Sequence, residues 1–537
     1  MAGAERSRLD PVLIVGAGPT GLVLAIELAR RNVPFHLIDR LAGPVGWSQA
    51  IFIKPRTLEI LSGLGLAPRL YEHGQIVDGV DLYSDGRKVA GYRFAELDTP
   101  FPHILSLPES DVIRILTDRL EELGGSVDYG VEFVGLSQAA DGASAHLRSG
   151  GRDHELEASW IVGTDGYHSA VREAVGGDFD GTDHPGLWAV FDTHLAGWNK
   201  PRNIVCAQLD APIVIPFPLG EDRWRIYFNT GATGGRMTGP QALQVAGERL
   251  RAICPDARLT DPQDPGFFRC HSRLARDFRI GRILLAGDAA HASNPIEGHG
   301  MNAGIQDAYN LGWKLAAIMA GKAREDLLGS YQAERRSTDR EIVASGEEAY
   351  ARMAVEGREL RQELYDFLST GEGRSFAALA ESELGFAYRD SPIVEAAGDA
   401  PAGSPRATEP GCRVGDVPGL VRRGAPVALH DLLAPSGMTV FLFPAEASAG
   451  DLARQLDALR EAAARDDDLA LYAVRRASPG QNDMGEDVVF DTGGSLHERL
   501  SADVPTLCVV RPDGHLGLCI RPPSPQALTA HLALMYG

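Results

Sequence analysis

The stretch Val12–Asp39 constrains this chain more than any other. Val12-Leu13-Ile14-Val15 is a short continuous apolar run rich in β-branched residues, the pattern of a buried parallel strand. Gly16-Ala17-Gly18-Pro19-Thr20-Gly21 follows at once, and Leu22, Ala25, Ile26, Leu28 and Ala29 then recur at helical spacing. Val33 to Ile38 reads as a second strand, ending at Asp39 and Arg40. The glycines form G-x-G-x-x-G between a strand and a helix. Gly16 permits the tight turn, Gly18 lets the backbone approach a pyrophosphate, and Gly21 lets helix and strand pack closely. Pro19 and Thr20 lie inside the same phosphate-facing turn, where the free N–H groups and positive dipole end of the helix point. A carboxylate at Asp39 is placed to accept hydrogen bonds from ribose hydroxyls. A glycine-rich turn without a ligand leaves Asp39 unexplained. The motif predicts a bound dinucleotide and does not by itself separate FAD from NAD.

Two further segments have the same flavour. Trp160-Ile161-Val162-Gly163 reads as a strand, Asp165-Gly166 as a turn, and Ser169 as the cap of a following helix. Arg282 to Ala286 reads as a buried strand that ends in Gly287-Asp288. A carboxylate at the C-terminal end of a strand points into the crevice where α/β folds bind ligands, and it suits sugar-alcohol hydroxyls because it only accepts. Pro295 and Gly298-His299-Gly300-Met301-Asn302 come next, before a helix expected from about Ala303 to Ala320. Small residues there let a planar ring lie against the backbone, and the helix N-terminus would stabilise negative charge on a reduced isoalloxazine.

These three motifs in series, together with Lys54-Pro55-Arg56-Thr57-Leu58-Glu59, resemble the class A flavoprotein monooxygenases, the aromatic hydroxylases of the p-hydroxybenzoate and phenol hydroxylase type, over about the first 400 residues. The resemblance implies that Gly16, Gly18 and Gly21 hold the FAD pyrophosphate and that Asp39 and Arg40 hold the adenosine end. It implies that Asp165 and Gly166 serve both FAD and NAD(P)H, that Asp288 after Gly287 binds the ribityl chain, and that Pro295, Gly298, Gly300, Met301 and Asn302 line the flavin ring. The chain also departs from that pattern. Gln49 stands where many members carry Arg, Ile51 where phenol-hydroxylase-like members carry a substrate-activating Asp, Glu109 where a Gln usually contacts FAD, and Glu297 where Gly is common. Gln49 and Glu109 remain expected cofactor contacts; the substrate-activating base is left unassigned.

The activity implied is hydroxylation of an aromatic substrate, phenolic or polycyclic and polyketide-like, by FAD with O₂. NADPH or NADH is the transient reductant, and a flavin C4a-hydroperoxide is the oxygen donor. Three alternatives stay open on the sequence: Baeyer–Villiger oxygenation of a polycyclic ketone, a flavin reductase that never uses oxygen, and a flavin-binding partner protein without turnover.

The fold class expected is α/β: a Rossmann-type FAD-binding domain over 1–180 and 271–395, an inserted β-sheet substrate domain over 181–270, and a thioredoxin-like domain over 410–537. The middle region has strand-like runs at Trp188–His194, Ile204–Gln208, Ile213–Pro218 and Trp224–Asn229. In the family this sheet covers the isoalloxazine and shapes the substrate pocket, so Trp188, Arg223, Arg225, Tyr227 and Asn229 are pocket candidates. Alternation puts Arg223, Arg225 and Tyr227 on one face. Arg225, Tyr227 and Pro295 are the expected catalytic residues, and His73, His103, His184 and Tyr227 are candidates for the base. A linker rich in Ala, Pro, Gly and Ser spans Ala396 to Pro410. The domain beyond it resembles the thioredoxin-like tail of larger family members but lacks C-x-x-C, so a buttress or an oligomer contact is expected rather than a redox role.

Composition narrows the partners. In the 537 residues, 52 Lys and Arg against 73 Asp and Glu give a net charge of −21, which argues against nucleic acid and anionic membranes as partners. Six scattered cysteines with no C-x-x-C give neither a disulfide framework nor a zinc ribbon, and no metal is expected. Cys508 and Cys519, on either side of Arg511-Pro512-Asp513-Gly514, are expected on neighbouring strands as small buried residues. Val12–Ala29 superficially resembles a signal peptide but contains Gly16, Gly18, Gly21 and Glu27 and has no small-residue cleavage site after it. No segment reads as a membrane span; a cytoplasmic location and a homodimer are expected.

Overall fold

The structure, a computed structural model, describes residues 10–44, 46, 50–210, 212–229, 237–294, 298–353, 358–395, 409–434, 437–444, 448–464, 466, 468–476 and 486–537. Val12–Val15 lies between two parallel neighbours, Trp160–Gly163 on one side and Phe35–Asp39 on the other. Ile283–Leu285 adds in parallel beyond Trp160–Gly163, and Arg279–Ile280 and Asp128–Tyr129 complete a six-stranded sheet. All four residues of Val12–Val15 are buried, which is why the run is apolar throughout rather than alternating. Parallel order has a direct consequence. The C-terminal ends of Val12–Val15, Trp160–Gly163 and Ile283–Leu285 lie side by side, so the turns that follow each strand emerge at one sheet edge.

Helix Pro19–Ala29 packs against helix Gly300–Met319 across this edge. The second helix begins three residues before the sequence suggests. Asn302 accounts for this: its Oδ1 accepts the Lys54 amide at 2.9 Å, and its Nδ2 donates to Phe52 O at 2.9 Å and Gly298 O at 3.0 Å. That tether holds Gly300 and Met301 in a first helical turn that glycine alone would not favour.

A nine-stranded, largely antiparallel sheet stands over the same edge. Its strands include Phe179–Ala196, Val214–Gly220, Arg223–Asn229 and Gly266–Ala275, and Gly79–Ser84 and Arg87–Arg93 extend it from earlier in the chain. One face, with Ala189, Phe191, Ile226 and Phe228, is buried against helix Gly239–Ile253. The opposite face carries Trp188, Ile215, Phe217 and Tyr227, brought onto one side by the register Ile215–Tyr227 and Val190–Tyr227.

The C-terminal region forms a seven-stranded sheet in which Thr439–Phe443 pairs in parallel with Ala470–Arg476 and antiparallel with Thr506–Val510. Helices Ala449–Ala462 and Pro525–Tyr536 pack together beside it. Cys508 pairs directly with Cys519 across strands Thr506–Val510 and Leu516–Ile520; the sulfurs are 3.2 Å apart, buried and unbridged. The turn of this hairpin enters the first domain. Arg511 pairs with Glu334, Arg56 donates to Asp513 O at 2.6 Å, and Tyr309 donates to Pro512 O at 3.2 Å. No helix among the described residues is long and apolar enough to cross a membrane.

Candidate active site: a cofactor cleft

The three turns meet. A cleft of about 400 Å³ is walled by Gly18, Pro19 and Thr20 of the first motif, Gly166 of the second, and Asp288, Gly298, Gly300 and Met301 of the third. Glu109, the first residue of helix Glu109–Glu122, lines it too. Its far wall is the aromatic sheet face: Trp188, Phe217, Tyr227 and Phe268. The volume lies within the range of about 300–1,000 Å³ typical of small-molecule sites.

Close approach fixes the glycines. Gly16 has φ +106°, and a Cβ there would lie 2.7 Å from the Thr164 carbonyl carbon. A Cβ on Gly21 would strike the Gly16 carbonyl and lie 2.8 Å from Thr164 Oγ1. Thr164 itself ties the two motifs, donating from Oγ1 to Val15 O at 2.9 Å and Gly16 O at 2.8 Å. Gly18 differs: its Cβ would meet nothing within 4 Å, because it faces the cleft. Asp39 braces the turn, accepting from Ala17 N at 2.8 Å and Leu41 N at 2.8 Å, while Arg40 is exposed beside it.

The second and third motifs divide their labour similarly. Asp165 accepts from Ser169 Oγ at 2.6 Å and Val171 N at 3.1 Å, so its carboxylate caps helix Ala170–Ala174, and burial pushes its pKa up. Gly166, at φ +81°, presents backbone to the cleft. Asp288 turns its side chain to the cleft, and the surrounding protein raises its pKa through desolvation, with His291 opposing. Gly287 donates to Asp307 Oδ2 at 2.9 Å. Asp307 also accepts from His291 Nε2 at 2.7 Å and Arg335 Nε at 2.6 Å, and Arg335 reaches Asp339 at 3.0 Å. His291, Asp307 and Asp339 lie close enough together to hold a metal ion, but Arg335 already supplies the cation there.

Among the expected catalytic residues, Tyr227 lies in the cleft wall. Arg225 is buried behind it in a bidentate pair with Asp192, at 2.6 and 3.0 Å, and also hydrogen-bonds Tyr227. Burial raises the Tyr227 phenol well above its ordinary range, with Arg225 opposing. Arg223 is exposed, on the same sheet face. Gln49 and Pro295 lie outside the described residues. His103 bonds Tyr71 at 2.6 Å and His184 bonds Ser272 at 3.0 Å; with His73, they are absent from the cleft lining. The imidazole that does line it is His271, which sequence reading missed. Its Nδ1 lies 2.7 Å from Asp183 and its ring stacks on Tyr167. Phe52, Phe217, Phe268 and Arg269 were missed as well. The alternation in Phe268-Arg269-Cys270-His271 carries a strand signal but no hint of which face meets a cofactor.

FAD fits these residues. The first helix offers its N-terminus beside an unobstructed Gly18, Asp288 faces the same space, and the buried Ser293 Oγ in the wall has no hydrogen-bond partner among the described residues.

Comparison with known proteins agrees. The FAD binding domain family model matches residues 10–345. The 6-methylpretetramide 4-monooxygenase of Streptomyces rimosus is 32% identical over 541 residues, which cover 98% of this chain and 93% of that protein. The structure of OxyS anhydrotetracycline hydroxylase from Streptomyces rimosus aligns with a TM-score of 0.76 at 27% identity, over 98% of this chain and 99% of that one. An aklavinone-11 hydroxylase solved with FAD and aklavinone shares the fold at a TM-score of 0.78 and 24% identity, over 100% of both chains. The chain therefore belongs to the FAD binding domain family and is an FAD-dependent monooxygenase of the aromatic hydroxylase type.

Proposed function

We propose that the chain hydroxylates a polycyclic, polyketide-like phenol, with NADPH or NADH as reductant and O₂ as co-substrate. One observation carries this reading: the cofactor-facing turns and a broad aromatic wall share a single cleft, so a flat ring system can lie against the flavin position. The 6-methylpretetramide and anhydrotetracycline monooxygenases among its relatives support the ring class. Bound FAD supplies the two-electron reduction and the activation of oxygen.

The chain's own residues bind, orient and exclude water. Gly18 and the helix behind it would receive the pyrophosphate, and Asp288 would accept from the ribityl hydroxyls. Phe52 and Phe217 meet edge to face at 4.5 Å, and Phe217 and Tyr227 at 5.3 Å, making a wall that keeps water from the reacting ring. Tyr227 stays protonated at working pH and acts by hydrogen bonding rather than as a base. His271, steadied by Asp183, is the imidazole in reach of a phenolic proton. The 410–537 sheet is read as a thioredoxin-like buttress, supported by its mixed strand order and its docked hairpin turn. A cytoplasmic location is supported by the six unbridged cysteines.

The test is NADPH consumption by the purified yellow protein across a panel from simple phenols to anthraquinones. Substrate-dependent consumption with a product one oxygen heavier supports the reading. Consumption that ignores every aromatic ring sinks it.

A further inference from the structure

Behind the cleft-lining turn Gly298–Gly300 lies a buried charge cluster drawn from three segments of the chain. Gly298 and Gly300 line the cleft, while His299 between them is only 5% exposed and is not part of the lining. His299 Nδ1 lies 2.6 Å from Glu383 Oε1 and 2.9 Å from Lys54 Nζ. The other carboxylate oxygen of Glu383 accepts from Gln306 Nε2, on the second turn of helix Gly300–Met319. Glu383 thus joins the N-cap of that helix to its second turn. The Lys54 ammonium is wholly buried, 3.2 Å from Glu381 and 3.7 Å from Glu383, and its backbone amide is the one held by Asn302. Glu383 also keeps a backbone conformation that favours glycine, with φ +61°. Seven other non-glycine residues among the described ones have positive φ, and all of them are exposed or half-buried, whereas Glu383 is buried. A strained conformation persists where its surroundings over-determine it, and such positions gather at functional sites.

We propose that Glu383 and Lys54 are a buried pair that sets the reduction potential of the flavin bound against the Gly298–Gly300 turn, Glu383 lowering it and Lys54 raising it. Neither side chain lines the cleft, so both are positioning residues, acting through His299 and through their fields. The isoalloxazine takes on negative charge when it is reduced, and protein charge near the ring tunes its electronics. A carboxylate behind the turn opposes that charge, and an ammonium favours it. Glu381 completes the cluster but keeps 19% of its side chain in solvent, which screens it. Glu383 and Lys54 keep none, so their fields reach the turn with little screening. The inference goes beyond the substrate reading and rests only on a flavin seated at this turn.

The test measures the reduction potential of the FAD-loaded enzyme, without substrate, by equilibration with reference dyes. Glu383→Gln keeps the shape and the hydrogen-bonding oxygen but deletes the charge, and Lys54→Met keeps the stem but deletes the ammonium. Glu383→Gln is expected to raise the potential and Lys54→Met to lower it, each by about tenfold in the ratio of reduced to oxidised flavin at a fixed ambient potential, which is about 30 mV for a two-electron couple. The double variant should return to within about threefold of wild type. Opposite signs are the decisive feature, because a merely structural defect moves both variants the same way. Unmoved potentials, or shifts of one sign in both, overturn the inference. A wild-type protein that binds no FAD would instead refute the premise. If Glu383→Gln loses its flavin, Lys54→Met alone must lower the potential, and loss of flavin from both variants also overturns the inference.

Discussion

The guanidinium of Arg511 holds both carboxylate oxygens of Glu334, at 2.7 and 2.8 Å, across the junction between the C-terminal sheet and the cofactor domain, and both side chains are fully buried. Glu334 also accepts from Lys314 Nζ at 2.7 Å and Asn310 Nδ2 at 2.7 Å. Lys314 and Asn310 belong to helix Gly300–Met319, whose first residues line the cleft. A turn near the end of the chain thus braces the helix that meets the flavin. Arg511→Met leaves Glu334 beside Lys314 with one cation fewer, and removing one partner of a buried pair typically costs about 3–5 kcal/mol. The variant should release FAD at lower temperature than wild type, read as rising flavin fluorescence. Unchanged release would mean that the C-terminal region does not support the site.

Two glycines of the same motif should fail in different ways. Gly21→Val drives a side chain into the Gly16 carbonyl and Thr164, so the domain itself should be lost, with little soluble protein. Gly18→Val meets open space and a φ of −73° that any residue adopts. It should fold with a wild-type circular dichroism spectrum, yet purify colourless and bind added FAD at least tenfold more weakly. Retention of yellow colour by Gly18→Val would remove the pyrophosphate from this turn.

A buried imidazolium should make the cofactor domain sensitive to alkali. Burial acts to lower the His291 pKa, but the carboxylates of Asp339, Asp307 and Asp288 overcome it and hold it at about 9, with Arg335 completing the cluster. A pKa raised in the folded state contributes stability that is whole below the unfolded value of about 6.5 and is lost as pH rises through about 9. The loss over that whole span should be on the order of 3 kcal/mol. Urea midpoints measured between pH 6 and 10 should fall in the wild type and stay nearly flat in His291→Gln. Parallel curves for the two proteins would show that this imidazole does not titrate there.

Replacing Asp288 probes the third motif. Asp288→Ala removes a carboxylate whose side chain opens to the cleft, so folding should be spared while FAD affinity drops by roughly ten- to a hundredfold, as expected for one or two lost hydrogen bonds to a charged acceptor. Titration of the apoprotein with FAD, followed by quenching of flavin fluorescence, measures it directly. Wild-type affinity in this variant would reassign the ribityl contact.

The cofactor half of the site was legible in the sequence because its determinants are local. Gly16, Gly18 and Gly21 are spaced by one turn, and Gly287-Asp288 ends its own strand, so a linear reading suffices. Asp165 reads as a cofactor contact in the sequence, but its carboxylate accepts from Ser169 and Val171 and the residue is absent from the cleft lining, which only the coordinates of its own helix reveal. The substrate half was legible only as strands. Tyr227 faces the cleft while Arg225, two residues earlier on the same face, is spent on Asp192, and nothing in the alternating pattern separates the two. His271 went unnoticed for the same reason: its place depends on a sheet register with Asp183 that is set across 88 residues. The early start of helix Gly300–Met319 is likewise a tertiary effect, imposed by Asn302 on Lys54 and Phe52.

The measurement that bears most directly on the whole account is single turnover under ¹⁸O₂ with a polycyclic phenol and NADPH. A product carrying one ¹⁸O atom on the ring, formed in step with NADPH loss, is the expected result. Recovery of all the consumed oxygen as hydrogen peroxide, with every phenol returned unlabelled, would contradict it.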